Sequence, residues 1–223
     1  MDNERNKQQE KILELLKESW EQFKAYYKSE KERYSKNNVE GYLVCWKEDD
    51  IVLQLSRFFY KRLCKSELKD EGIEIHSQTE ISENKFDKEY SFNKKISELN
   101  KKLGRKKGAK PDFIITKEDD NGSLWLIGEV KYFRMWQWED RVKKDIDELN
   151  ALKDLRICKK TVYLLADAYL HENNKKGWTK LIEKLKEERL KLDYLDLIIM
   201  CKKKTNECKY NDFIKNLAEY LPR

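Results

Sequence analysis

Pro111-Asp112-Phe113-Ile114-Ile115-Thr116, then Lys117-Glu118-Asp119-Asp120-Asn121-Gly122-Ser123, then Leu124-Trp125-Leu126-Ile127-Gly128-Glu129-Val130-Lys131-Tyr132 decide how this chain folds. Two apolar runs flank a polar segment with an Asn-Gly pair, the pattern of a β-hairpin. An acid opens the first run. An acid, an apolar residue and a lysine close the second. Side chains alternate along a strand, so Glu129 and Lys131 share a face. Charges on strands this apolar are costly unless they have a partner or a task. A symmetric turn centred between Asp120 and Asn121 sets Asp112 opposite Glu129. Directly opposed β-carbons lie roughly 5 Å apart, where two carboxylates repel unless a cation lies between them. Oxygen-only ligands of this sort suit Mg²⁺ or Mn²⁺, and the Val130 carbonyl is a further oxygen. Lys131 then has two uses: to hold an attacking water, or to stabilise charge growing on a phosphate. A solvated strand face with a cross-strand ion pair would also explain a bare Glu-X-Lys triplet. The Pro-Asp-apolar-apolar run before it and the apolar flanks favour the site.

Outward from the hairpin, apolar residues recur at helical spacing in residues 7–34 (Ile12, Leu16, Trp20, Phe23, Tyr27) and 46–64 (Val52, Leu55, Phe59). Residues 72–79 alternate as a strand does. Phe92, Ile96, Leu99 and Leu103 mark a shorter helix ended by Gly104. After the hairpin come a helix over 138–152, a strand over 161–166, a helix over 178–190, a strand over 196–200 and a helix over 211–221. The order predicts an α/β (α+β mixed) fold: a central mixed sheet flanked by helices, with an N-terminal helical extension. The expected boundaries are residues 1–40 for the extension and 41–223 for the domain. The first helix either covers the core or forms a homodimer contact.

Charged residues make up 40% of the chain, yet net charge is only +6, so any affinity for nucleic acid must be local. Residues 101–110, KKLGRKKGAK, supply it: Lys101, Lys102, Arg105, Lys106, Lys107 and Lys110 with no acid, ending where Asp112 begins. Such a loop is placed to grip phosphates, although charge runs also serve as plain solvated surface. Lys143 and Lys144 either reach phosphates or, beside Asp145 and Asp147, form a mixed solvated face. The aromatics of residues 132–138 read as packing between a strand end and the next helix. Five scattered cysteines without a CxxC pair fit reduced thiols in a cytoplasmic protein. Two distant histidines argue against a histidine metal site. His76 has no evident partner. The N-terminus lacks an apolar signal core and no apolar run approaches membrane-spanning length, so no membrane partner is expected.

Pro111-Asp112, followed after a hairpin by Glu129-Val130-Lys131, resembles the PD-(D/E)XK nuclease superfamily. The motif covers about twenty residues, and the surrounding order is compatible from Trp46 to Met200. The resemblance implies a restriction-endonuclease-like fold, with Asp112 and Glu129 binding Mg²⁺ and Lys131 activating water. It also implies an acid from a helix ahead of the first core strand. Glu48 falls on the Val52, Leu55, Phe59 stripe, whereas Asp49 points about 100° away; both acids also suit a helix N-terminus. Gln137-Trp138-Glu139-Asp140-Arg141 lacks the Tyr of the recombination-repair exonucleases, which favours an endonuclease. The expected activity is Mg²⁺-dependent DNA endonuclease, acting on double-stranded DNA in the cytoplasm, or in a host cell's cytoplasm if virus-encoded. Double-strand cutting usually needs two active sites, which a homodimer provides. The alternatives are an inactive nuclease-fold binding module, or a structure-specific or RNA-directed nuclease.

Overall fold

The hairpin and its flanking helices form as the periodicities dictate. The computed structural model describes residues 2–36, 48–81, 90–104, 108–117, 124–132, 138–170, 192–201 and 215–216. In chain order the elements are α1 (Asp2–Lys36), α2 (Glu48–Leu63), β1 (Ile73–Ser77), α3 (Tyr90–Lys102), β2 (Phe113–Lys117), β3 (Leu124–Tyr132), α4 (Trp138–Asp154), β4 (Cys158–Leu170), β5 (Tyr194–Cys201) and β6 (Lys215–Asn216). The strands form one sheet whose spatial order follows the chain. Strand β2 runs antiparallel to β1 and β3; β3, β4 and β5 are parallel; β6 is a two-residue antiparallel edge. The molecule is therefore a mixed α/β protein with a mixed sheet. A parallel neighbour needs a crossover, and α4 provides it between β3 and β4.

The sheet is buried on both faces, which is why β3 reads as a continuous apolar run rather than an alternating one. On one face, α1 (Ile12, Leu16, Trp20, Phe23, Tyr27) and α2 (Ile51, Leu55, Phe59) cover Phe113, Ile115, Leu126, Val130 and Val162. On the other, α3 (Ile96, Leu99) and α4 (Val142, Ile146, Leu149, Leu152) cover Ile114, Ile127, Tyr163 and Leu165. Helix α1 thus covers the core, one of the two roles open to it. It is anchored by a buried polar knot. Asp196 Oδ2 on β5 accepts from Trp20 Nε1 at 2.8 Å, Lys24 Nζ at 2.6 Å and Tyr194 OH at 3.4 Å.

Helix ends follow capping rules. Gly104 takes φ +62° just past α3, with its N–H on the Lys101 carbonyl. After α4 the Ile157 N–H bonds the Leu152 carbonyl and the Arg156 N–H bonds the Lys153 carbonyl, a Schellman ending with Arg156 at the left-handed position. The chain departs from expectation at its C-terminal end. Within the expected helix 211–221, Lys215 and Asn216 instead pair with Ile199 and Ile198, where the edge of β5 offers unpaired backbone groups. The expected helix 178–190 lies outside the described residues, as does the hairpin turn 118–123. Among the described residues no helix is long and apolar enough to cross a membrane.

Candidate active site

The hairpin register is the one that a symmetric turn sets: Phe113 opposes Gly128, Ile114 opposes Ile127 and Ile115 opposes Leu126. Continued by one step, it brings Asp112 to Glu129. Asp112 stands immediately before β2, and its carbonyl accepts from the Gln78 N–H at 2.9 Å. Gln78 itself holds a left-handed φ of 48°, an uncommon conformation for a residue with a β-carbon. On the other side, Asp112 Oδ2 accepts from the Val130 N–H at 2.7 Å. One residue's N–H and C=O point to the same strand edge, so the Val130 carbonyl faces this end too. Gly128 fits here because a β-carbon would run into the Phe113 ring.

Ile127 faces α4, so Glu129, two residues on, projects to the same side. It is 7% exposed. Burial, the Asp112 charge and a hydrogen bond to Asp112 push its carboxyl well above the ordinary value, with Asp145 and Glu148 adding repulsion. Burial raises Asp112 as well, against the pull of the Glu129 hydrogen bond and the Val130 N–H. The pair therefore favours a proton on Glu129, shared in a hydrogen bond with the Asp112 carboxylate.

Glu48 is the first residue of α2, where an acid complements the helix N-terminus. Its Oε1 accepts from the Tyr132 N–H at 3.2 Å and lies 3.4 Å from Lys131 Nζ. Asp49 points away and takes a hydrogen bond from the Gln78 side chain in the open. Lys131 Nζ also lies 3.2 Å from Asp145 Oδ2. Burial alone would lower the Lys131 ammonium, but the Asp145, Glu48 and Asp112 carboxylates outweigh it and hold the group above the ordinary lysine value. Burial raises the Asp145 carboxyl against the pull of Lys131.

The site thus gathers Asp112, Glu129, the Val130 backbone, Lys131 and Glu48, together with Asp145, which the sequence places on a mixed solvated face, and Glu148, for which it gives no expectation. Asp145 is half-buried and Glu148 is buried, whereas Lys143, Lys144 and Asp147 are exposed. The signal was available: Asp145 and Glu148 fall within the Val142, Ile146, Leu149, Leu152 stripe of α4. The basic segment divides differently. Lys101 and Lys102 belong to the last turn of α3 rather than to a loop, and Lys102 pairs with Asp154 at 3.0 Å. Lys110 is exposed, and Arg105, Lys106 and Lys107 lie outside the described residues. His76, for which the sequence names no partner, meets Thr116 Oγ1 at 3.1 Å and Glu74 at 3.2 Å.

The donor chemistry fits a hard divalent cation in part. Asp112 and Glu129 are two oxygen ligands brought together with the Val130 carbonyl beside them; burial raises both carboxyls, and the Asp112 charge adds to the shift of Glu129, a repulsion that a cation relieves. Glu48 faces Lys131 instead. Among the described residues, no group of three or more His, Cys, Asp or Glu is arranged to hold a metal ion. Comparison with protein-family models, curated proteins and solved structures finds no match to this chain.

Proposed function

We propose that this chain is a Mg²⁺-dependent endodeoxyribonuclease with a restriction-endonuclease-like fold, as its resemblance to the PD-(D/E)XK superfamily implies. The observation that carries the reading is the meeting of Asp112 and Glu129 at the open end of the β2–β3 hairpin, with Lys131 two residues along. An acid-bearing α2 ahead of the hairpin and a crossover helix after it support the same reading. Mg²⁺, or Mn²⁺ in its place, supplies charge that neutralises a phosphate and lowers the pKa of a bound water. Asp112, Glu129 and the Val130 carbonyl are the oxygens that would hold it, and Glu48, whose Oε1 meets Lys131 and the Tyr132 N–H, would join them from the start of α2. Lys131, kept protonated by its neighbours, orients water or steadies charge on the phosphate rather than accepting a proton. Lys101, Lys102, Arg105, Lys106, Lys107 and Lys110 grip the backbone of double-stranded DNA in the cytoplasm. A homodimer brings one site to each strand.

Supercoiled plasmid incubated with the protein and Mg²⁺ or Mn²⁺ tests this. Nicking that chelation stops and Lys131→Ala abolishes is expected; intact plasmid with every cation and DNA form overturns it. One observation favours a second reading, a binding module that does not cut. Glu48 and Asp145 close around Lys131 from within, as in a purely structural ion cluster. Retention of plasmid on a gel without nicking supports that module.

A further inference from the structure

Lys131 is caught between two layers of the molecule. Glu48 Oε1 approaches its ammonium at 3.4 Å from the start of α2, and Asp145 Oδ2 at 3.2 Å from α4 on the opposite face of the sheet. The same Asp145 oxygen accepts the Tyr163 hydroxyl at 3.4 Å. Tyr163 lies beside Glu129 on β4 and is fully buried, so its ring cannot swing away from the strand. Burial and the surrounding acids push its phenol well above the ordinary value, which keeps it a neutral donor.

We infer that Asp145, braced by Tyr163, is a positioning residue that fixes the Lys131 ammonium beside the Asp112–Glu129 pair. The inference rests on the phosphodiesterase reading and adds to it the group that makes Lys131 effective. A lysine head hangs on a flexible four-carbon stem rich in rotamers, so a single tether leaves it mobile. Two carboxylates on opposite sides locate it. The two are not equivalent. Glu48 also holds the Tyr132 N–H, and it leaves Lys131 if it turns towards Asp112. Asp145 sits on a helix pinned by Val142, Ile146 and Leu149, with Tyr163 behind it, so it is the partner that stays. A bare carboxylate inside the apolar stripe of α4 is costly to bury, and Lys131 and Tyr163 are the partners that offset that cost for Asp145.

The test uses the full chain with Asp145→Asn, Asp145→Glu and Tyr163→Phe. Two readouts are taken on folded protein, checked by its melting curve. The first is reductive methylation of Lys131, measured by mass spectrometry relative to the exposed Lys143 and Lys144. The second is plasmid nicking with Mn²⁺, resolved into turnover and KM. Asp145→Asn is expected to raise relative methylation of Lys131 about threefold or more and to lower turnover about tenfold at unchanged KM, the size expected when a reacting group loses its orientation. Asp145→Glu should restore most of both, and Tyr163→Phe should fall between. Wild-type methylation and turnover in folded Asp145→Asn would overturn the inference, as would a change confined to KM. If Asp145→Asn does not fold, the same readouts on Tyr163→Phe decide. If wild type does not nick at all, the nuclease reading fails, while methylation still decides whether Asp145 fixes Lys131.

Discussion

Asp112 and Glu129 are two carboxyls that folding forces together, and that pairing ties stability to pH. Both lie above their ordinary values chiefly through burial, Glu129 well above 4.5 because the Asp112 charge adds to it, Asp112 in spite of the hydrogen bond from Glu129. Folding therefore favours the protonated form. The stability this contributes is fully present below the ordinary carboxylate range and is lost as pH rises through the raised folded values. Melting temperature should fall across that window, and Glu129→Gln should flatten the fall. A divalent cation reverses the preference, because it needs both groups ionised. With a Kd of about 1 mM, roughly 10 mM Mn²⁺ stabilises the fold by about 1.4 kcal/mol. The gain should be larger at pH 8 than at pH 5 and absent in Glu129→Gln. Equal gains at both pH values, or in the variant, would mean the ion binds elsewhere. This pair was legible from sequence because period-two alternation and a symmetric turn fix it. Asp145 was not, because Lys143-Lys144-Asp145-Ile146-Asp147 reads as charge first. Only helical periodicity, applied to its acids as well as to its apolar residues, separates the half-buried Asp145 from the exposed Asp147.

At the scale of the element, α4 carries both Asp145 and the apolar stripe that seats it, so the stability of its C-terminal end bears on the site. It ends with Arg156 at φ 55°, in a Schellman position where glycine has no β-carbon penalty. Arg156 is exposed, and the Lys95 ammonium bonds only its carbonyl, at 3.3 Å. Arg156→Gly should therefore stabilise the protein by about 1 kcal/mol, the usual cost of a left-handed residue with a side chain. Thermal melts would show it as a rise of a few degrees, since about 1 kcal/mol moves Tm by roughly 2–4 °C in a chain of this size. A fall instead would mean that the Arg156 side chain holds something that the backbone does not. Helix and strand cores were legible because a stripe or an alternation spans many residues. Ends were less so. Gly104 announces the end of α3, but no glycine marks the end of α4. The sequence over 211–221 predicts a helix where β6 forms, because a two-residue pairing leaves no period to detect, and what selects it is the open edge of β5 rather than its own sequence.

Across the whole molecule, α1 shares a core with the sheet rather than hanging from it. The stripe Ile12, Leu16, Trp20, Phe23 and Tyr27 was plain in the sequence, but periodicity gives a helix's apolar face and not the surface it covers. The partner signal lay far away, in an acid opening the apolar strand Asp196-Leu197-Ile198-Ile199-Met200. Asp196 is buried, and α1 supplies two of its donors, Trp20 Nε1 and Lys24 Nζ. A chain beginning at residue 41 would lose both, leaving a buried carboxylate with Tyr194 alone among these donors. It would also uncover the face formed by Leu126, Val130 and Leu164. Burying five large side chains contributes on the order of 10 kcal/mol before the entropy of ordering α1 is subtracted, comparable with the total stability of a domain. The truncated chain should accordingly aggregate or melt without a cooperative transition, and Lys24→Met in the full chain should cost about 1–3 kcal/mol by leaving Asp196 only neutral donors. Denaturant unfolding of both would check this. A cooperative transition for residues 41–223 near the full chain's midpoint would mean that the sheet closes its own core, and that α1 is free to serve another purpose.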